Sequence, residues 1–330
     1  MKVAFFTLAL AVSLAGCGPK SKPETAHNFE EVQAGGVKMV PVETPVGTFK
    51  VWTKKVGSNP RIKILLLHGG PALTHEYMEC FESFFPQAGF EMYQYDQLGS
   101  YYSDQPDNDD LWTTERFVEE VEQVRKALGM NKDNFYILGN SWGGILGLEY
   151  ALKYQQNLKG LIISNMMASI PDYEKYNGLL RGKMRKTLVD SLTTFERKKD
   201  YQNPIYTDLV FKEYYTKHIC RLAEWPEPVL RSFKHVNQHI YELMQGPSEF
   251  KVGGRLLTWD RKADLAKITV PTLTIGAKYD TMDPQAMEAM SRTLPNGHYL
   301  YCPNGAHLCF WDDQKTYFPA VIKFIKDVDK

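Results

Sequence analysis

Short apolar runs recur along the chain, each closed by turn residues and most followed by a helical pattern. They are "IKILLLHGG", "FEMYQYD", "NFYILGNS" and "GLIISNM", with "PTLTIGAKYD" and "GHYLYCPNGAH" far downstream. Their hydrophobicity is continuous, as strands covered on both faces require. Between them lie helical stretches such as "TTERFVEEVEQVRKALG", opened by Thr113 and Thr114 as caps and closed by Gly129. Strands alternating with helices predict an α/β fold built on a mostly parallel, doubly wound sheet. Ahead of them, "GVKMVPVETPVGTFKVWTKKVG" alternates around a "TPVG" turn and predicts an antiparallel hairpin.

The rhythm breaks between Ala168 and Ala266. That segment carries long amphipathic patterns, "YNGLLRGKMRKTLVDSLTTF" and "EPVLRSFKHVNQHIYELMQ", and no buried-strand run. A helical insertion between two strands predicts a cap domain over the strands' C-terminal ends, where open α/β sheets bind ligands. The predicted organisation is a core from 31 to 167, a cap from 168 to 266, and the rest of the core from 267 to 330.

Composition narrows the class. The 330 residues are 43% apolar and 13% aromatic, enough for a substantial core and too apolar for a disordered chain. Basic and acidic residues balance at 39 each, and no long basic run occurs, so a nucleic-acid footprint is excluded. Aromatics interleaved with lysine in "FKEYYTKH" have the spacing of an amphipathic helix.

The first residues, "MKVAFFTLALAVSLAGC", have one lysine, an apolar run too short to span a bilayer, and small residues before Cys17. Residues 1–16 therefore predict a signal peptide. "LAGC" resembles the bacterial lipobox, which predicts acylation of Cys17, and the polar "GPKSKPETAHN" fits a tether over 17–30. Two or three acyl chains hold a protein stably to a bilayer. The expected location is the cell envelope, as an exported, lipid-anchored protein. Export would permit disulfides among Cys80, Cys220, Cys302 and Cys309. Cys302 and Cys309 flank a short loop; their pairing and a set of buried free thiols both remain open.

Candidate chemistry centres on "YILGNSWGG". Gly139-Asn140-Ser141-Trp142-Gly143 fits G-x-S-x-G, with a buried strand running in and a helix, "GILGLEYALKY", running out. That context predicts a nucleophile elbow, a strained turn that holds the Ser141 hydroxyl out at a helix N-terminus. A serine hydroxyl needs a base to take its proton and a third group to orient that base. On this fold the order is serine, acid, histidine. Asp280 and His307 follow the last two strands and fall on the same rim as Ser141. Asp283 is the rival acid, but Pro284 behind it suits a helix cap. His218, His235 and His239 belong to the cap, and His68 precedes the serine. "HGGPA" closes an earlier strand, and its paired glycines predict an oxyanion hole formed by the N–H groups of Gly70 and Trp142. A serine at the elbow excludes the aspartate-based chemistry of haloalkane dehalogenases and epoxide hydrolases.

With these motifs in place, the chain from Val37 onward resembles the proline iminopeptidases of the α/β-hydrolase fold, including the tricorn-interacting factor type. The resemblance rests on "HGGPA", "YDQLGSYYSDQPD", "GNSWGG", "GPSEF" and the late "YD" and "GAH". It implies an α/β-hydrolase core with an inserted helical cap, removal of N-terminal residues (preferably proline) from short peptides, and no metal or organic cofactor. It also implies that Glu249, in "GPSEF", binds the substrate's amino terminus. The chain departs from the pattern at Ala72, in place of a glycine, and at Thr281, where relatives of the tricorn-factor type carry a second amine-binding glutamate. Trp225 and Tyr241 are candidate pocket aromatics. An esterase or amidase without a free-amine requirement is the alternative on this scaffold. An inactive envelope binding protein is opposed by the intact Ser, Asp and His.

Overall fold

The computed structural model describes residues 35–249 and 251–330. The expectations for the signal segment, Cys17 and the tether lie outside the described residues.

Eight strands form one sheet: β1 (Val37–Thr44), β2 (Gly47–Val56), β3 (Lys63–Leu67), β4 (Glu91–Asp96), β5 (Phe135–Asn140), β6 (Gly160–Ser164), β7 (Thr272–Ala277) and β8 (Gly297–Cys302). Their order across the sheet is β1-β2-β4-β3-β5-β6-β7-β8. β1 and β2 are the expected hairpin, with Thr44 paired to Gly47, and β2 runs antiparallel to β4. All later pairings are parallel. The apolar runs are continuous because both faces are covered. Leu65, Leu67, Ile137 and Ile163 face one buried cluster, while Ile64, Leu66, Leu138 and Ile162 face the other. Each such side chain contributes about 1.5–3 kcal/mol by leaving water. β8 differs from the expectation, with only Cys302 fully buried, because it is the outermost strand.

Helix α1 (Thr114–Ala127) begins where predicted, but Thr113 alone caps it, its hydroxyl accepting the Arg116 N–H at 3.3 Å. Helix α2 (Trp142–Tyr154) leaves the end of β5 through Ser141.

Between β6 and β7 come α3 (Ile170–Gly182), α4 (Lys186–Arg197), α5 (Pro204–Val210), α6 (Thr216–His218), α7 (Glu227–Lys234) and α8 (Gln238–Met244). A π-helical turn, Phe211–Tyr215, joins α5 to α6. Each long amphipathic pattern therefore splits into two helices. The second split has a clear cause at Asn237. Its side chain caps α8 by accepting the Ile240 N–H at 3.3 Å and donates to the Gly99 carbonyl at 3.0 Å. The break thus ties the insertion to the core. Leu180, Leu188, Leu192, Tyr206, Val210 and Tyr214 give the insertion a small apolar cluster of its own. Helix α7 is held to the segment His75–Ser83 by Arg231 and His235, both on the buried Glu76 at 2.5 and 2.8 Å.

The chain ends with α9 (Pro284–Thr293), α10 (Cys309–Asp312) and α11 (Gln314–Val328). Cys80, Cys220, Cys302 and Cys309 are all buried free thiols, which resolves the open choice against a Cys302–Cys309 bridge. Among the described residues, no helix is long and apolar enough to cross a membrane.

Candidate active site

Ser141 sits between β5 and α2 with φ 57° and ψ −126°, a conformation unusual for a residue with a side chain. The flanking glycines make that turn possible. A Cβ on Gly139 would lie 2.0 Å from the Gly143 carbonyl oxygen, and one on Gly143 would lie 2.0 Å from that of Leu67. Both spacings are far inside van der Waals contact, so the two glycines of the motif are steric requirements. The Ser141 hydroxyl makes no hydrogen bond among the described residues and faces a small cavity that His307 and Glu249 also line.

His307 follows β8, and Asp280 lies in the turn beyond β7. The His307 Nδ1–H donates to Asp280 Oδ1 at 2.8 Å, and Asp280 is fully buried. Oδ1 also accepts the Met282 N–H at 3.1 Å, while Oδ2 accepts Asn165 Nδ2–H at 2.7 Å. Burial pulls the imidazole towards the neutral form. The charge and hydrogen bond of Asp280 outweigh it, and His307 ends above its ordinary value of 6.5. The insertion between β6 and β7 contributes too: the His307 N–H donates to the His218 carbonyl at 3.0 Å, and the Leu308 N–H to that of Ile219 at 2.8 Å. Asp283, the rival acid, accepts the Gln285 N–H at 2.9 Å and caps α9.

The "HGGPA" loop leaves β3 beside the elbow. The Gly69 N–H donates to the Tyr77 hydroxyl at 2.7 Å, and that hydroxyl donates to Asn140 Oδ1 at 3.0 Å. Tyr77 thereby couples the loop to the residue before Ser141. Gly70 adopts φ +109°, where a Cβ would press to 2.7 Å from the Leu73 nitrogen. The backbone N–H groups of Gly70 and Trp142 have no acceptor among the described residues. The Trp142 side chain is anchored separately, donating to Gln97 Oε1 at 2.7 Å. His68 stays inside the loop, its Nδ1–H on the Gly69 carbonyl at 2.9 Å and its Nε2 accepting the Gln97 N–H at 3.1 Å. Burial lowers its affinity for a proton below the ordinary histidine range.

Glu249 reaches the same small cavity from the insertion. It is 9% exposed; its Oε1 accepts the Tyr241 hydroxyl at 2.6 Å, and the Tyr173 hydroxyl donates to its backbone carbonyl at 2.7 Å, with Oε2 3.2 Å away. Among the described residues lining that cavity it is the one carboxylate. Thr281 is buried with its hydroxyl 3.3 Å from Asp280 Oδ1, so it supplies no second charge. Glu249, Leu73 and Phe233 also line a neighbouring cavity of about 570 Å³, walled by Tyr206, Phe211, Tyr215, Trp225 and Tyr241. Trp225 and Tyr241 are the two aromatics singled out in the sequence. Asn165, Tyr77 and Tyr173 were not. An asparagine just past a strand, or a tyrosine in a helical pattern, carries no local sign of its distant partner.

With this geometry in view, comparison with known proteins is informative. Residues 63–314 match the α/β hydrolase fold family. Proteins named proline iminopeptidase from Elizabethkingia meningoseptica and Flavobacterium johnsoniae are 63% and 62% identical to this chain; each alignment covers 88% of it and 98% of the relative. Among solved structures, the proline iminopeptidase of Mycobacterium smegmatis superposes with TM-score 0.80 at 27% identity, covering 89% of this chain and 98% of that one. VinJ superposes with TM-score 0.82 at 26% identity, covering 88% and 98%. On this similarity, carried over nearly the whole length of its relatives, the chain belongs to the proline iminopeptidase family of the α/β-hydrolase fold.

Proposed function

We propose that the protein is a serine aminopeptidase that releases N-terminal residues, preferably proline, from short peptides through an acyl-enzyme. The observation that carries this reading is the buried Glu249 carboxylate in the cavity that Ser141 and His307 share. Held by the Tyr241 hydroxyl, with Tyr173 bound to its backbone carbonyl, it is a carboxylate in the nucleophile's own cavity, and a substrate's free amine, two bonds from the reacting carbonyl carbon, must enter that cavity with it.

In this mechanism His307 Nε2 takes the proton from the Ser141 hydroxyl as its oxygen attacks the carbonyl carbon of the first residue. The tetrahedral oxyanion accepts hydrogen bonds from the N–H groups of Gly70 and Trp142, which have no other acceptor among the described residues. Asp280 keeps the imidazole in the Nδ1–H tautomer and stabilises the imidazolium. His307 then protonates the leaving amine, the scissile bond breaks, and the first residue remains as an ester on Ser141. Water, deprotonated by the same imidazole, attacks the ester and frees the residue. The apo serine and histidine are not yet hydrogen-bonded, as is common before substrate tightens such a site.

The test is hydrolysis of prolyl and alanyl anilides, with rapid acid quenching to detect a prolyl ester on the Ser141 peptide. The reading predicts turnover with a preference for proline, the ester in wild type, and neither in Ser141→Ala. Turnover that survives Ser141→Ala would overturn it.

We also propose that acylated Cys17 holds the protein at the cell envelope, on the strength of "LAGC" and the polar tether. Cys17→Ser should release the folded domain from the membrane fraction. Unmodified Cys17 in the mature wild-type protein would contradict the anchor.

A further inference from the structure

We propose that Asn165 is a positioning residue for the reaction: its side-chain amide fixes the carboxylate of Asp280 so that one oxygen faces His307. The proposal rests on the reading of Asp280 as the acid that orients His307.

Asn165 stands just past the end of β6, fully buried, with φ 56°. Asparagine is one of the few residues with a side chain that tolerates this conformation. Its Nδ2 donates to Asp280 Oδ2 at 2.7 Å and to the Ala306 carbonyl at 3.3 Å. One amide thus joins the acid to the residue before His307. Its Oδ1 accepts the Ser164 hydroxyl at 2.8 Å and the Cys309 thiol at 3.1 Å. Ser164 is itself an acceptor for the Tyr317 hydroxyl at 3.1 Å.

These partners determine which way the amide points. A carboxylate and a carbonyl can only accept, so both face the NH₂ end. A hydroxyl whose oxygen is already engaged by Tyr317, and a thiol that retains its proton, donate to the oxygen end. Burial pushes the Cys309 thiol well above its ordinary range, so it remains a donor throughout the neutral region. Turned the other way, the amide would place oxygen against a carboxylate oxygen and leave two donors facing NH₂. Asp280 Oδ2 has no other hydrogen-bond donor among the described residues, while Oδ1 has His307, Met282 and Thr281. Removing the amide leaves Oδ2 buried without a donor, so the carboxylate is fixed only through Oδ1 and its orientation towards the imidazole is loosened.

Asn165→Asp is the informative change, because it preserves size and tolerance of the backbone conformation but removes the donor. Two carboxylates at this spacing share a proton, and the second ionisation of the pair is raised. While that proton is present, residue 165 can still donate to Asp280; once it is lost, the two groups repel. Other titratable groups face the pair. Cys309 and Asp312 come from α10 and Tyr317 from α11; Tyr176, Tyr214 and His218 come from the insertion, with His307 opposite. Asp312 is raised to about 6, His218 is lowered, the thiol and tyrosines are raised, and His307 is itself raised above 6.5; these titrations are common to wild type and variant, so only a limb that wild type lacks is assigned to the new carboxylate pair.

The experiment measures kcat and KM against pH, per folded molecule, for an acetate ester that carries no titrating amine. Wild type, Asn165→Ala, Asn165→Asp and Asp280→Ala are compared. Asn165→Ala should lower kcat about ten- to hundredfold at every pH, as expected for losing a hydrogen bond to a charged group, with KM nearly unchanged. Asn165→Asp should add a descending alkaline limb to kcat that wild type lacks. If either folded variant keeps wild-type kcat and profile while Asp280→Ala is inactive, the positioning role is overturned and Asn165 serves stability alone. If Asp280→Ala is itself near wild type, the underlying reading of the acid fails instead.

Discussion

Replacing Glu249 by Gln changes one charge in the site while nearly preserving its shape. At about 4 Å, an ammonium and a carboxylate attract by about 4 kcal/mol at an effective dielectric of 20. The ammonium gives up water to bind, and the net value of a hydrogen bond to a charged group is about 1.5–3 kcal/mol. That range applies to Glu249, which is 9% exposed and already oriented by Tyr241 and Tyr173. The substitution should therefore reduce kcat/KM for a prolyl amide about ten- to hundredfold. Damage to the fold should be small. Tyr173 keeps its 2.7 Å bond to the Glu249 backbone carbonyl, and the Tyr241 hydroxyl can still donate to the remaining amide oxygen. An acetate ester has no amine to lose, so its hydrolysis should be nearly unchanged. Steady-state kinetics on the two substrates, side by side, provide the assay. Equal losses on both would refute the reasoning and show that Glu249 supports the insertion's structure.

Other expectations concern the acid, the base, the elbow and the cap. Asp280→Ala should cost several orders of magnitude in kcat, whereas Asp283→Ala should lose only a helix cap, about 1 kcal/mol by denaturant titration, and keep turnover. Acid inactivation of kcat should have its midpoint above 6.5, because His307 is raised; in Asp280→Asn that midpoint should move down. The sign for stability is also fixed. A raised histidine contributes stability that is complete below its unfolded value of about 6.5 and lost as pH rises through the folded value, so the stability advantage of wild type over His307→Ala should shrink across that window in thermal melts. Gly143→Ala should abolish turnover and lower the melting temperature, since its Cβ would meet the Leu67 carbonyl at 2.0 Å.

What the sequence made legible follows from where the constraints are local. The central strands announce themselves because both faces are buried, and the elbow because its glycines have no alternative. The candidate acid and base, Asp280 and His307, could be named by their position after β7 and β8, and the structure brings them within hydrogen-bond distance. Asp283 could be set aside from Pro284 alone, and it does cap α9. The contacts that complete the site join residues far apart in the chain: Asn165 with Asp280, Tyr77 with Gly69 and Asn140, Tyr173 with Glu249. No local pattern encodes such pairings. The split of α7 from α8 was hidden for a related reason, because Asn237 breaks an otherwise continuous amphipathic pattern in order to bond to Gly99. Glu249 itself was visible only through family resemblance, since nothing in "GPSEF" distinguishes it from a solvated loop residue.

The central claim, that this serine hydrolase reads a free amino terminus, is tested most directly by comparing kcat/KM for prolyl anilide and N-acetyl-prolyl anilide on the wild-type enzyme. Acetylation removes the ammonium and leaves the reacting carbonyl and the leaving group in place. With Glu249 the one carboxylate among the described residues lining the cavity at Ser141, the account predicts a preference for the free amine of about tenfold or more. That preference should be less sharp than in relatives with a second glutamate where this chain has Thr281. Equal values for the two substrates would contradict the aminopeptidase assignment and identify an amidase or esterase with no amine requirement.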